Sequence, residues 1–361
     1  MTAFSAFDRA MMRRALALAE KGLCTTTPNP RVGCVVTRDD RVLGEGWHEK
    51  AGGPHAEVVA LEQAGAAASG ATLYVTLEPC NHTGRTPPCV DLILEAKPQR
   101  VVAAMLDPNP QAAHGGERLG AAGIAFEHGL MEGEAKELNI GFISRVTRGR
   151  PWVRMKIAAT LDGRTALGEG SGANAGRSQW ITGAEARRDG HRWRARACAV
   201  LTGVGTVRAD DPRLTVREVE TPRQPLRVIV DSRLETPSSA RILEGERVLV
   251  FSGKSGSLKN SEVVALPNAA GKVELPRMLE ELARRGINEL HVEAGFRLNG
   301  SLLREGCVDE FLLYLNPSFL GDGAQGMVDL PAFESLEVRP KLRLLSVDRL
   351  GDDLRIVARP A

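Results

Sequence analysis

The sequence predicts an α/β protein of two domains, a three-layer α/β/α unit over residues 1–147 and a strand-rich α/β unit over residues 148–361. Three observations lead there. The chain has 361 residues, more than one hydrophobic core usually organises. Its first part alternates strands with helices, the pattern of a sheet covered on both faces. Its second part has more apolar runs of strand length than helices, and it closes on two runs placed to pair antiparallel.

Taken in order, Met1 to Gly22 is interrupted by Asp8, Arg9, Arg13, Arg14 and Glu20, so it reads as an amphipathic helix and not as a signal peptide. Arg31 to Thr37 and Val42 to Trp47 pattern as strands around the turn Arg38-Asp39-Asp40-Arg41. Pro54 closes a loop and His55 opens a helix. A strand Thr72 to Leu77, a helix Val90 to Ala96, a strand Arg100 to Met105, a helix Glu117 to Ala122, a strand Ile124 to Phe126 and a helix Glu132 to Ile140 follow. Arg145 to Pro151 is charged and lacks apolar periodicity, which marks the domain boundary near residue 147. The second unit has strands at Trp152 to Thr160, Ala199 to Thr202, Leu226 to Val230, Val248 to Phe251, Glu289 to Val292, Glu310 to Leu315, Leu342 to Val347 and Leu354 to Ala358. Its helices fit Ala184 to Ala197, Pro276 to Arg285 and Leu298 to Glu305.

The chemistry is concentrated in His55-Ala56-Glu57, Glu78-Pro79-Cys80 and Cys89. One imidazole and two thiolates leave the fourth tetrahedral position of a zinc ion open, where water is activated near neutral pH. Glu57, which is not a ligand, can shuttle protons between that water and a departing amine, the logic of zinc nucleobase deaminases. Eight residues separate Cys80 from Cys89 where the general signature has two, and Gly84, Pro87 and Pro88 let that insert loop out. A purely structural zinc site would leave Glu57 without a task, and shows only three ligands.

The segments Thr27-Pro28-Asn29-Pro30-Arg31-Val32-Gly33, Gly53-Pro54-His55-Ala56-Glu57, Thr76-Leu77-Glu78-Pro79-Cys80, Gly84-Arg85-Thr86-Pro87-Pro88-Cys89 and Asp107-Pro108-Asn109-Pro110 together resemble the bifunctional riboflavin-biosynthesis deaminase/reductase family. The eight-residue insert belongs to that family's pattern. The likeness continues through Lys156 to Arg164, Ser178-Gln179-Trp180-Ile181-Thr182, Ala209-Asp210-Asp211-Pro212 and Val292-Glu293-Ala294-Gly295, almost the whole chain in the family's order. It implies a cytidine-deaminase-like first domain and a dihydrofolate-reductase-like second domain. It also implies one Zn2+ per chain on His55, Cys80 and Cys89, Glu57 as the proton shuttle, and NADPH in the second domain. The implied substrate is 2,5-diamino-6-(5-phosphoribosylamino)pyrimidin-4(3H)-one, deaminated first and then reduced from a ribosyl to a ribityl side chain. By position, Asn29, His48, His82, Arg85, Asp107 and Asn109 would contact the pyrimidine or its phosphoribosyl group. Ala159, Trp180, Thr206, Asp210, Ser232, Gly295, Phe296, Arg297, Leu298, Asn299, Gly300 and Ser301 would contact NADPH. Ser178, Arg194, Leu214, Arg217 and Glu293 would hold the substrate of reduction, and Lys156 is a candidate to polarise the sugar.

Physical chemistry supports parts of this. Asn29 between two prolines is an amide on a stiffened loop. Glu293-Ala294-Gly295 ends a strand before a helix, where free N–H groups can receive a diphosphate. Ser232 beside Arg233 suits the 2′-phosphate that separates NADP from NAD. Arg194 and Arg217 suit a sugar phosphate. A dinucleotide fingerprint is missing, since Gly203-Val204-Gly205 is followed by Arg208. Three features depart from the family's pattern: Asn81 and Thr83 around His82, Phe296-Arg297 after Gly295, and a long glycine-rich stretch from Gly168 to Arg177 that suggests a flap over the nicotinamide.

Lys plus Arg at 47 against Asp plus Glu at 45 gives a net charge of +2, and aromatics are 4%. Both argue against a nucleic-acid or anionic-membrane surface. Six cysteines are too sparse for a disulfide scaffold, so the expectation is a cytoplasmic enzyme with reduced thiols. It would be a homo-oligomer acting on a small phosphoribosylated pyrimidine. The alternative is a nucleic-acid (tRNA) base deaminase whose second half binds RNA.

Overall fold

The computed structural model describes residues 4–84, 87–168, 180–246 and 248–361. The chain divides into two compact units, Met1–Gly149 and Arg150–Ala361. Arg85, Ser178 and, apart from Gly168, the glycine-rich stretch to Arg177 lie outside the described residues.

The first unit runs α1 (Ala6–Glu20), β1 (Gly33–Arg38), β2 (Arg41–Trp47), α2 (Ala56–Ala64), β3 (Thr72–Val75), α3 (Cys89–Ala96), β4 (Arg100–Ala103), α4 (Gly115–Ala121), β5 (Ala125–His128), α5 (Glu132–Leu138) and α6 (Ile140–Arg148). Ser5 and Asp8 start α1 as a capping box, each side chain accepting the other's backbone N–H. Met12, Ala15, Leu16 and Ala19 then form its buried stripe. The turn between β1 and β2 is made by Asp39 and Asp40, both at positive φ, as a two-residue hairpin connection requires.

The sheet order is β2-β1-β3-β4-β5. β1 runs antiparallel to both neighbours, and β3, β4 and β5 are parallel. Close approaches on opposite faces make the three layers. A Cβ at Gly33 would stand 2.0 Å from the Ala15 carbonyl of α1, and one at Gly44 would stand 2.2 Å from the Ala60 carbonyl of α2. Arg145 to Arg148, read from sequence as a boundary segment, continues α6 instead. The helix ends at Gly149 in the left-handed conformation, the usual C-terminal signal.

The second unit runs β6 (Trp152–Thr160), β7 (Arg164–Ala166), α7 (Ala184–Arg196), β8 (Ala199–Gly203), α8 (Val204–Asp210), β9 (Leu226–Val230), β10 (Val248–Ser252), β11 (Ser261–Ala265), α9 (Leu275–Arg284), β12 (Glu289–Val292), α10 (Phe296–Arg304), β13 (Glu310–Asn316), β14 (Gln325–Gly326), β15 (Leu342–Leu350) and β16 (Asp353–Pro360). The main sheet has the order β11-β10-β9-β8-β12-β6-β13-β16-β15. It is parallel from β11 through β13, and β16 and β15 close it antiparallel. β7 and β14 form a separate two-stranded ribbon.

Alternation along the strands gives this sheet two unlike faces. Val153, Met155, Ile157, Ala159, Leu290 and Val292 pack with Met278, Leu279 and Leu282 of α9 and Leu302 of α10. The intervening residues Arg154, Glu289, His291 and Glu310 form a buried polar layer instead. Arg154, 2% exposed, donates to Glu310 at 2.5 Å and Glu289 at 3.0 Å, under the ring of Trp193 from α7 at 4.3 Å. Arg196 and Arg359 complete that layer by pairing with Glu289 and Glu310. Buried ions held this way keep nearly all their hydrogen bonds, which is the condition for tolerating them. Among the described residues no helix is long and apolar enough to cross a membrane.

Candidate active sites

The three candidate metal ligands of the first unit come from helix starts and one loop. His55 is the N-cap of α2, Cys89 is the first residue of α3, and Cys80 lies in the segment that leaves β3. Their ligand atoms lie within 4.8 Å of one another. His55 Nδ1 is 3.1 Å from Cys89 Sγ and 3.6 Å from Cys80 Sγ. Tetrahedral zinc at ordinary Zn–N and Zn–S lengths separates such atoms by about 3.5 Å, so the set fits zinc as it stands. The Cys89 N–H donates to Cys80 Sγ at 3.4 Å. A hydrogen bond from the Cys89 thiol, and then His55, bring the Cys80 thiol down to about 4, in the range of reactive thiolates. Glu57 is buried in the first turn of α2, and burial, with the charge of Cys80 adding, pushes its carboxyl up to about 7.

Around this set, His48 is buried and uses both ring nitrogens. Nδ1 is 2.9 Å from the Pro54 carbonyl and Nε2 is 3.0 Å from the Asn29 amide nitrogen. The amide donates, so Nε2 accepts and Nδ1 carries the proton. His48 thus orients Asn29 and stands edge-on to His55, ring centres 5.3 Å apart. Asp107 and Asn109 share a turn in which the Asp107 carboxylate accepts the Asn109 N–H at 2.8 Å. Burial pushes the Asp107 carboxyl up to about 6. The half-buried ring of His82 packs by Gly84, with Nδ1 buried and unbonded.

Sequence reasoning missed Glu78. Its carboxylate is buried and accepts the Asp107 N–H at 3.0 Å and the Gly116 N–H at 2.9 Å, tying the Cys80 segment to the Asp107 turn and to the start of α4, 29 and 38 residues away. Gly115 is tied in as closely, since a Cβ there would stand 1.9 Å from the Pro79 carbonyl.

The second unit holds a cavity of about 1460 Å³ along the C-terminal ends of β9, β8, β12, β6 and β13. This is where ligands sit on open parallel sheets. At its centre the Glu293 carboxylate takes a two-pronged bond from Arg194, Nε at 2.7 Å and an amino group at 3.0 Å. The other amino group of Arg194 donates to the Thr215 carbonyl at 2.6 Å. Lys156 Nζ lies 4.0 Å from Glu293 and 5.9 Å over the Tyr314 ring. Burial would raise the Glu293 carboxyl, but Arg194 and Lys156 hold it well below the usual carboxylate range. Burial pushes Lys156 down.

Trp180, Thr206, Asp210, Leu214, Arg217 and the run Gly295 to Asn299 all line the same cavity. Trp180 is 72% exposed, with the Arg187 guanidinium 4.3 Å over its ring. Gly295 is the N-cap of α10. Four expected cofactor contacts are not on the cavity wall: Ala159, Ser232, Gly300 and Ser301. Ala159 faces the core, and a Cβ at Gly300 would stand 2.2 Å from the Asp329 carbonyl. The Ser232 and Ser301 hydroxyls bond the Val273 N–H at 3.1 Å and the Arg297 carbonyl at 3.2 Å. Sequence reasoning also missed His291, fully buried with both ring nitrogens unbonded and Nε2 3.5 Å from Glu293. The alternation Glu289-x-His291-x-Glu293 was the available signal.

Comparison with known proteins matches both units. The cytidine and deoxycytidylate deaminase zinc-binding region matches residues 5–105, and the RibD C-terminal domain matches residues 151–356. The riboflavin biosynthesis protein RibD of Escherichia coli is 44% identical, over 96% of this chain and 98% of that protein. That of Aquifex aeolicus is 45% identical, over 97% of each. Acinetobacter baumannii RibD superposes with a TM-score of 0.89 at 41% identity, covering 98% of this chain and 99% of that one. The Thermotoga maritima diaminohydroxyphosphoribosylaminopyrimidine deaminase/5-amino-6-(5-phosphoribosylamino)uracil reductase gives 0.88 at 36% identity, with the same coverage. With a zinc-binding deaminase domain ahead of a reductase domain, and relatives matched end to end, the chain belongs to the RibD family of bifunctional deaminase/reductases of riboflavin biosynthesis.

Proposed function

We propose that residues 1–147 deaminate 2,5-diamino-6-(5-phosphoribosylamino)pyrimidin-4(3H)-one, and that residues 148–361 reduce the ribosyl chain of the product to ribityl with NADPH. The convergence of His55, Cys80 and Cys89 beside the buried Glu57 carries this reading. When bound, one zinc per chain supplies a Lewis acid that activates water, and NADPH supplies a hydride. Glu57 takes the proton of the attacking water and returns it to the leaving amine. Asn29, held by His48, reads the base edge, and His82, Arg85, Asp107 and Asn109 close around the pyrimidine and its phosphoribosyl group.

In the second unit, Glu293 and Lys156 hold the opened sugar, Lys156 polarising the C1′=N bond left when O4′ departs as a hydroxyl, with Arg194 orienting Glu293. Ser178, Leu214 and Arg217 complete that subsite, and Arg217 takes the phosphate, because the fork of Arg194 is committed to Glu293 and Thr215. Trp180, Thr206, Asp210 and the turn at Gly295 bind the cofactor.

The same reading makes the protein a cytoplasmic enzyme of small molecules, without a nucleic-acid or membrane partner. It also makes it a homo-oligomer. Leu344 and Val347 of the edge strand β15 are 60% and 54% exposed. Antiparallel pairing of two copies of β15 would put Arg343 opposite Asp348 and Leu344 opposite Val347.

Glu57→Gln tests the deaminase assignment. Deamination should fall by about 10² to 10⁴, with zinc content unchanged and reduction of the deaminated intermediate intact. Full deamination by that variant would remove Glu57 from the mechanism.

A further inference from the structure

The reductase cavity continues beyond Gly295 toward β9, where Arg208, Glu235 and Arg241 join Val230 in its wall. β9 lies three strand positions from β6, which sets this end about 14 Å from the Lys156 strand. The groups that sequence suggested for a 2′-phosphate are not on that wall. The Ser232 hydroxyl accepts the Val273 N–H, and the 82%-exposed Arg233 is not on the wall.

Two other arginines line this end of the cavity, from different elements. Arg208 stands in the last turn of α8, and Arg241 opens a short turn of 3-10 helix, Arg241–Leu243. Arg241 is braced by Asp211, whose carboxylate accepts its N–H and whose carbonyl accepts its Nε, both at 2.8 Å. The Glu235 carboxylate is 3.1 Å from Arg208 and 3.9 Å from Arg233, so Arg208 already pairs with an anion.

We propose that Arg208 and Arg241, and not Ser232 with Arg233, read the 2′-phosphate that separates NADPH from NADH; the inference rests on NADPH being the reductant. A phosphate monoester brings more charge and more acceptor oxygens than a carboxylate, so it displaces Glu235 from Arg208 and takes up the terminal amino groups of both arginines. A ribose 2′-hydroxyl has no such charge, and with NADH the Arg208–Glu235 pair stays closed. Glu235 therefore opposes the phosphate, and its neutralisation favours NADPH.

Calorimetric titration of the full chain with NADPH, NADH and 2′,5′-ADP tests this. Arg208→Ala and Arg241→Ala are each expected to weaken NADPH and 2′,5′-ADP by about tenfold or more while leaving NADH within about twofold. Glu235→Gln is expected to tighten NADPH. If the wild type prefers NADPH and both arginine variants lose NADPH and NADH equally, or neither, this assignment is overturned and the cofactor reading stands. Selectivity lost in Ser232→Ala and kept in Arg208→Ala would return the role to Ser232. A wild type that binds NADH as tightly as NADPH overturns both readings.

Discussion

Glu78 and His291 show what single buried groups do for these sites. The two carboxylate oxygens of Glu78 fix the Asp107 turn and the start of α4 beside Cys80 through the Asp107 and Gly116 N–H groups. Glu78→Ala should lower zinc affinity by about tenfold, the scale of supporting partners around a metal site, in competition with a chromophoric chelator. His291 carries a pH dependence. Burial brings its imidazole down to about 3 from an ordinary 6.5. The folded state therefore favours the neutral ring, and its contribution to stability is complete above pH 6.5 and is lost progressively as pH falls from 6.5 toward 3. Thermal unfolding followed by the fluorescence of Trp152, Trp180 and Trp193 should show this loss, and His291→Leu should flatten it. An unchanged acid slope in that variant would assign it to other groups. The candidate metal set of His55, Cys80 and Cys89 was legible in sequence because its residue types and spacing are local. The bracing by Glu78, the engagement of His48 and the commitment of Arg194 to Glu293, 99 residues away, depend on contacts with no local signature.

Elements whose periodicity is strong matched their expected positions closely, as with β6, β9 and β12. β11, with every residue half-buried, and the two short ribbon strands were missed because they give neither a clear alternation nor a sustained apolar run. α7 was found, although it packs on charge: its Trp193 and Arg196 cover a layer of Arg154, Glu289 and Glu310 that a hydrophobic pattern would not reveal. α4 also has work beyond its own packing, because it starts at Gly115 against the Pro79 carbonyl. Gly115→Ala should push the Cys80 segment away, destabilising the first unit by about 1–3 kcal/mol and reducing retained zinc, measured by metal analysis after gel filtration. Native stability and full zinc content would mean the loop relaxes without moving Cys80.

At the scale of the molecule, the two compact units carry separate chemistries on separate cores. Chelation of zinc should abolish deamination and leave reduction of the deaminated intermediate in place, since the metal set lies wholly in the first unit. Charge at positions 344 and 347, introduced as Leu344→Glu with Val347→Glu, should lower the mass seen by light scattering to that of one chain, and an unchanged mass would move the interface away from β15. The most direct measurement is mass spectrometry of the product made from 2,5-diamino-6-(5-phosphoribosylamino)pyrimidin-4(3H)-one by the purified chain, with and without NADPH. Exchange of an amine for oxygen without NADPH, and a further gain of two hydrogens with it, is the expected result. A substrate unchanged in both, with zinc bound, would contradict the account.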